Sequence, residues 1–272
     1  MNIFEAIDWK AIVAILALVL SQLPPIKQMI KGKKLRMAMP AVAQFTHVFG
    51  NTNLSIWLDF DNVGGKTVTV RRIEAILRKI NGPKQKVIAK SYWITESLSH
   101  DKPTALFLGE IALKPGEKWS AFFNFYDDAL WSRDIQSKVS SIKSKFREDI
   151  NAKVSERDKK MPNVPQNERP LVEADRVLVE EVLGIVRDLK RLEQAEYELI
   201  VAAFEQSENS PLSILGFDFT LFENDVREIF DDTSDYKFGY GIHLSSTKTK
   251  YVTINLRPMN EEKVEKLFAE LF

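Results

Sequence analysis

The side chains that could do chemistry in this sequence are few and scattered. The chain has no cysteine, which excludes disulfides, thiolate metal sites and a cysteine nucleophile. His47, His100 and His243 lie in separate segments, and no two of them have the i, i+4 spacing that puts two imidazoles on one helix face. We therefore predict loop or surface histidines, no metal site and no catalytic residue.

An acidic stretch carries the oxygen ligands that a divalent cation prefers. It consists of Glu223-Asn224-Asp225, Asp231-Asp232 and Asp235. The stretch lacks the glycine and the ligand spacing of an EF-hand loop. A solvated loop is therefore favoured over a cation site, and a carboxylate-dependent hydrolase stays open as a minor alternative.

Gly64-Gly65-Lys66-Thr67 matches only the end of a phosphate-binding loop. Phe60 stands where G-x-x-x-x-G-K-[ST] requires its first glycine, and a strand pattern follows where the helix should begin. No serine has the G-x-S-x-G context of a hydrolase nucleophile. We predict a turn between strands at Gly64-Gly65.

The composition is that of a folded protein without a strong charge bias. Lys+Arg and Asp+Glu balance at 38 each, with 44% hydrophobic and 28% charged residues. A chain of this composition buries enough apolar surface to fold, and it lacks the basic excess of a nucleic-acid binder. We predict neither a cofactor nor a nucleic-acid partner.

The N-terminal region contains "AIVAILALVLSQLPPIKQMIKGKKLRM", Ala11 to Met37, an apolar run followed by basic residues. Glu5 and Asp8 precede the run, which reverses the charge order of a signal peptide, so we expect no cleavage. A helix from Trp9 to Ile26 would be about 27 Å long at ~1.5 Å per residue, close to the ~30 Å of a bilayer core. We predict a membrane anchor; an interfacial helix stays open because the uninterrupted apolar part is short.

The anchor and its flank supply most of the predicted functional residues. The residues predicted to enter the membrane are Trp9, Ile12, Val13, Ile15, Leu16, Leu18, Val19 and Leu20. The residues predicted to set the topology or contact lipid headgroups are Lys27, Lys31, Lys33, Lys34 and Arg36. The positive-inside rule places the N-terminus outside and the later residues in the cytoplasm, for a protein of the inner membrane. The predicted boundaries are 1–36 for the anchor and basic flank and 37–272 for a cytoplasmic domain.

After the flank, the hydrophobic period changes to two. Leu54, Ile56, Leu58 and Phe60 alternate with Ser55, Trp57, Asp59 and Asp61. Further segments of this kind are Lys86 to Trp93, Ala105 to Leu113 and Ser120 to Tyr126. Short strands separated by turn signals, without alternating helices, predict an antiparallel sandwich.

A helical period interrupts the strands at about 129–192. Its two apolar stripes contain Ile135, Val139, Ile142, Phe146, Ile150 and Val154, then Val177, Leu178, Val182, Ile185, Val186 and Leu189. Strands resume with Glu196 to Glu205 and Leu215 to Glu223. Tyr236 to Leu244 and Lys250 to Leu256 predict a C-terminal β-hairpin, and Asn260 predicts the cap of a last helix. The predicted fold class is α+β: an N-terminal membrane helix, then an antiparallel β-sandwich with an inserted helical hairpin and a C-terminal β-hairpin plus helix.

Two segments of the strand region resemble a known family. They are "LSIWLDFDNVGGKTVTV" (Leu54–Val70) and "IALKPGEKW" (Ile111–Trp119). A strand with a glycine-rich turn, followed by L-x-P-G-E, is similar to bacterial membrane-anchored immunoglobulin-like β-sandwich proteins. The resemblance implies an immunoglobulin-like sandwich that acts by binding, whereas the helical insertion departs from the family pattern.

The favoured function is a single-pass membrane-anchored interaction or sensor protein whose cytoplasmic sandwich recruits a partner. The predicted contacts are the lipid bilayer, an unidentified protein partner and a second copy of the chain. The partner-binding candidates are Lys138, Lys145, Arg147, Phe238 and Tyr240. The main alternative is an oligomerising, membrane-disrupting effector, because a short span disturbs a bilayer.

Overall fold

The computed structural model describes residues 12–21, 31–94, 105–205, 210–244 and 251–272. The strands are β1 Leu35–Ala38, β2 Val42–Val48, β3 Asn51–Asn62, β4 Val68–Val70, β5 Arg72–Lys79, β6 Lys84–Trp93, β7 Leu106–Phe107, β8 Ile111–Leu113, β9 Lys118–Tyr126, β10 Ala195–Phe204, β11 Ser213–Leu221, β12 Val252–Asn255 and β13 Arg257–Pro258. The helices are α1 at residues 12–21, α2 Arg133–Lys160, α3 Arg176–Leu189, α4 Glu223–Ile229 and α5 Glu261–Leu271.

One antiparallel sheet of 11 strands carries the fold. Its main path is β12-β2-β3-β9-β6-β5-β10-β11-β13, with β1 paired to β3 and β7 paired to β6, while β4 and β8 form a separate pair. The Met37 N–H of β1 donates to Ser213 Oγ of β11 across 3.2 Å, so the two halves of the sheet meet. The fold is therefore α+β, with a mostly antiparallel sheet that forms a nearly closed, barrel-like sandwich.

The predicted buried face of β3 is confirmed, but Ser55 on the opposite face is also 0% exposed, so burial alternates only from Ile56 onward. Leu54, Ile56 and Leu58 are each 0% exposed, and Phe60 is 1% exposed. They face a core shared by strands from the whole sheet, including Phe123 of β9. Full burial of each such side chain contributes about 1.5–3 kcal/mol to folding. Two packed sheets and one curled sheet both produce this alternation, so the sequence could not distinguish a sandwich of two sheets from a barrel-like single sheet.

Helices α2 and α3, together called the helical hairpin, lie in the chain between β9 and β10. They share a second hydrophobic cluster with Phe49 of the β2–β3 turn. Ser132 and Asp175 cap the two helices through their side chains. A Cβ at Gly50 would lie 2.3 Å from the Val186 carbonyl oxygen, so α3 packs directly on the β2–β3 turn. The helical hairpin thus covers the end of the sheet where β3 begins.

The N-terminal segment joins the sheet at the other end of β3. Leu35 of β1 pairs with Asn62, the last residue of β3, and the Gly64 N–H donates to the Lys34 carbonyl. Leu35 and Arg36, which the sequence assigned to the basic flank, therefore belong to the sheet. Strand β3 has 12 residues, or about 40 Å at ~3.3 Å per residue. This length separates the entry of the chain from the helical hairpin.

Two predictions for the C-terminal part had different outcomes. The predicted C-terminal β-hairpin is wrong: residues 231–238 form a 3₁₀ helix, and β12 pairs with β2 instead. Gly239 and Gly241 have φ values of 82° and 75°, which turn the chain where the sequence pattern continued a strand. The cap of the last helix is confirmed, because the Asn260 side chain accepts from the Lys263 N–H at 2.8 Å.

The structure gives no support for the predicted N-terminal membrane helix. Among the residues described, no helix combines the length and the apolar character needed to cross a bilayer. The predicted span from Trp9 to Ile26 extends on both sides beyond α1, outside the described residues. Helix α1 nevertheless leaves all its large apolar side chains except the half-buried Ile12 exposed, with 64% exposure at Val13 and 64% at Leu18.

Candidate functional site

A buried histidine–carboxylate pair joins the sheet to the 3₁₀ helix. His47 Nε2 lies 2.7 Å from Asp232 Oδ1, and the two side chains are 1% and 9% exposed. The Gly50 N–H donates to His47 Nδ1 at 2.9 Å, so this nitrogen carries no hydrogen and Nε2 donates to Asp232. Both imidazole nitrogens are occupied, and the pair holds two segments together without a nitrogen available to act as a general base.

The predicted placement of His47 in a loop or at the surface is wrong. His47 lies within β2, at an inward-facing position that alternates with Ala43 and Phe45. The position of His47 in this alternation was the sequence signal for its burial. A histidine in the apolar phase of a strand is buried and therefore needs polar partners. Its partner Asp232 is 185 residues further along the chain, and no local pattern identifies it.

The other two histidines do not join this pair. His243 is partly buried, and its Nδ1 atom is buried without a hydrogen-bond partner. Burial and then the nearby Arg147 guanidinium lower the pKa of His243, because both disfavour the imidazolium. His100 lies outside the described residues.

The acidic stretch is divided among structural roles. Asp225 Oδ2 accepts from the Phe222 N–H at 2.8 Å at the start of α4, and Glu223 pairs with Arg227 at 2.9 Å. Asp232 faces His47. In the described part of the chain, no three histidine or carboxylate side chains come together as metal ligands would.

Tyr236 makes the stability of this region dependent on pH. Burial, followed by the Asp232 carboxylate, raises the pKa of Tyr236 well above its ordinary value. In the unfolded chain a tyrosine loses its proton near pH 10. The folded protein retains that proton to higher pH, so the contribution of Tyr236 to the free energy of unfolding is fully present below pH 10 and is lost as the pH rises above it.

We expect Tyr236→Phe to flatten this alkaline decline. The wild-type contribution from Tyr236 is about 1.4 kcal/mol per pH unit above pH 10, and phenylalanine has no proton to lose. Urea unfolding at pH 7, 10 and 11 measures the difference. If wild type and variant lose stability in parallel between pH 10 and 11, Tyr236 is not a source of the decline.

Two of the predicted headgroup residues form ion pairs within the protein. Lys33 Nζ pairs with Glu205 at 2.6 Å, and Arg36 pairs with Asp61. Lys31 and Lys34 are exposed and form no ion pair within the described part of the chain. Lys27 lies outside the described residues, as does Trp9. The described flank therefore offers two lysines for contacts outside the molecule.

Two of the five partner-binding candidates line one groove. The hairpin groove, between α2 and α3, has a volume of about 500 Å³ and is lined by Lys138, Ile142, Lys145, Glu181, Gly184 and Ile185. Lys145 Nζ reaches Glu181 across it at 3.5 Å. A Cβ at Gly184 would meet only the Arg187 guanidinium, at 3.9 Å, so no close packing within the chain requires this glycine.

The remaining candidates are distributed over the same helical region. Arg147 is exposed on α2, outside the groove lining. Phe238 ends the 3₁₀ helix and lies under Lys237 Nζ, 4.7 Å from the ring centroid. Tyr240 is partly buried and forms an isolated bridge with Leu244. Neither aromatic residue lies in a strand, although the sequence predicted a strand from Tyr236 to Leu244.

The fold and these surfaces define an α+β protein with a nearly closed antiparallel barrel, capped at one end by a helical hairpin. No family model, no curated protein and no solved structure matches the chain. The immunoglobulin-like family therefore stays a resemblance in two segments.

Proposed function

We propose that this chain is a non-enzymatic, membrane-tethered interaction protein. Its N-terminal apolar segment attaches to a bilayer, its barrel acts as a rigid spacer, and its helical hairpin recruits a protein partner. The observation that carries the proposal is the placement of the two surfaces: the N-terminal segment enters where β3 ends, and the helical hairpin covers the place where β3 begins.

Exposed apolar surface on α1 supports the tether. Six large apolar side chains of this helix are 54–64% exposed: Val13, Ile15, Leu16, Leu18, Val19 and Leu20. A contiguous apolar surface of this kind is typical of membrane or protein contacts. By the positive-inside rule, the basic residues after it support a barrel on the cytoplasmic side of the inner membrane.

The unexplained glycine supports the partner surface. A glycine inside a helix costs about 1 kcal/mol relative to alanine, and the fold makes no internal use of Gly184. A small residue on an exposed groove allows a partner to approach the backbone closely. The lysines and acidic residues on the groove walls supply polar contacts around the apolar floor of Ile142 and Ile185.

Site-specific photo-crosslinking in cells tests the partner surface. We expect a crosslinking residue at Ser141, in the hairpin groove, to capture a defined protein, and one at the exposed Ser155 of α2 to capture none. Gly184→Trp should abolish the adduct because indole fills the groove. The matched control is Gly109→Trp, at an exposed glycine whose Cβ would meet nothing within 4 Å.

The mass of the adduct identifies the partner class, since a doubled mass indicates a second copy of the chain. Identical adducts from Ser141 and Ser155, or an adduct that persists in Gly184→Trp, would place the partner elsewhere.

A further inference from the structure

The barrel is incompletely closed beside its first strand. Strand β1 pairs with β3 on one side, but on the other it reaches β11 through the Ser213 side chain and not through a backbone ladder. A cavity of about 830 Å³ opens here, between β1, β11 and the start of α5. We call it the seam groove and define it by Leu35, Met37, Leu215, Phe217, Met259 and Val264.

Two hydrophobic clusters meet in the seam groove. Leu35, Met37 and Phe217 belong to the barrel core, with Leu215 packed against it. Val264 and Met259 belong to the cluster between α5 and the outer face of the sheet. The groove therefore has apolar walls that continue into the interior on both sides, and its volume lies within the range of small-molecule sites.

The rim of the groove carries charge of both signs. Lys34 and Arg36 lie on the β1 side, and Glu261 and Glu265 lie on the α5 side. Arg36 is already paired with Asp61. The Lys34 backbone is fixed, because its carbonyl accepts from the Gly64 N–H at 3.1 Å, while its side chain forms no ion pair in the described residues. The rim thus provides one available cation, opposite two carboxylates that repel any extended polyanion.

We propose that the seam groove binds a single-chain anionic amphiphile, with the acyl chain against the apolar walls and one negatively charged head at Lys34. The proposed membrane tether indicates where the amphiphile comes from, and this part of the inference rests on the proposed function. Lys34 follows the N-terminal apolar segment closely in the chain, so a tethered barrel holds the groove mouth near the bilayer surface, where fatty acids and lysolipids are available.

Calorimetric titration with dodecanoate tests the site. The background is the 272-residue chain with Leu16→Asp and Leu18→Asp, which puts two charges into the competing apolar surface of α1. We expect saturable binding of one dodecanoate per chain, weakened about fourfold for each CH₂ removed from the ligand. We also expect binding to be lost in Leu215→Trp, where indole fills the groove.

Two exposed lysines provide the matched comparison. Lys34→Glu should weaken dodecanoate binding at least tenfold, whereas Lys31→Glu, outside the groove lining, should leave it unchanged. Equal weakening by both variants, tighter binding of dodecyltrimethylammonium than of dodecanoate, or no saturable binding of dodecanoate would overturn the proposal. Vesicle flotation of the wild-type chain tests the tether separately, so the two proposals fail independently.

Discussion

Replacing Leu16 and Leu18 by aspartate is expected to release the protein from membranes almost completely. Each aspartate costs about 2.5–3.5 kcal/mol in a bilayer centre. The pair therefore costs roughly 5–7 kcal/mol, which lowers membrane partitioning more than a thousandfold. The two leucines are 55% and 64% exposed, so the barrel should retain its stability. Flotation with liposomes of bacterial lipid composition measures the effect.

Leu171→Asp with Val177→Asp is the matched control for this release. These residues are 59% and 66% exposed and flank the start of α3, at the end of the barrel away from the N-terminal segment. We expect this control to float with liposomes as the wild type does. A Leu16→Asp, Leu18→Asp protein that still floats would show that α1 is not the tether.

Phe146→Ala is expected to have the largest effect on the helical hairpin. Phe146 is 0% exposed and lies in the cluster shared by α2, α3 and the β2–β3 turn. Removal of a buried phenylalanine side chain costs about 3–5 kcal/mol. Because the barrel core is a separate cluster, hydrogen exchange should lose protection in α2 and α3 and retain it in β3, β9 and β10.

The control for Phe146 is an equal truncation at the surface. Phe107 is 90% exposed, and Phe107→Ala should leave exchange unchanged throughout. Partner capture at Ser141 should disappear in Phe146→Ala and persist in Phe107→Ala. If Phe146→Ala reduces protection equally in the helices and in the barrel strands, the two clusters form one cooperative unit and the barrel is not an independent spacer.

The elements with a strong local period could be predicted from the sequence. The β3 alternation and the two helical stripes each identify a buried face, because burial of one face is what produces such a period. The stripe residues Val139, Ile142, Phe146 and Ile150 are all buried. Closure of the sheet could not be predicted, since it depends on which strands pair over long distances, as when Met37 meets Ser213.

The segment after α4 shows how a short pattern misleads. Phe238, Tyr240 and Ile242 alternate with polar residues or glycine, which predicts a strand. Gly239 and Gly241 interrupt this pattern with positive φ values. Glycine permits this conformation, but the presence of a glycine does not by itself predict it. Tyr236 is buried beside the helical hairpin, and this tertiary contact decides the local structure.

The candidate surfaces were predictable only in part. The excess of lysine after the apolar run is a sequence property, but the pairing of Lys33 with Glu205 joins residues 172 positions apart. Likewise, the sequence indicated Lys138 and Lys145 as surface charges, yet the groove between them and α3 exists only after the two helices pack. The seam groove has no sequence signal, because it results from incomplete closure of the sheet.

In the proposed function, the barrel separates a membrane-proximal end from a membrane-distal partner surface. The absence of cysteine allows single fluorophores at Gly32→Cys, where a Cβ meets nothing within 4 Å, and at Ser141→Cys in the hairpin groove. Energy transfer to acceptor-labelled lipid headgroups in reconstituted vesicles then compares the two sites. We expect strong transfer from position 32 and weak transfer from position 141, consistent with a spacer of about 40 Å. Equal transfer from both positions would contradict it.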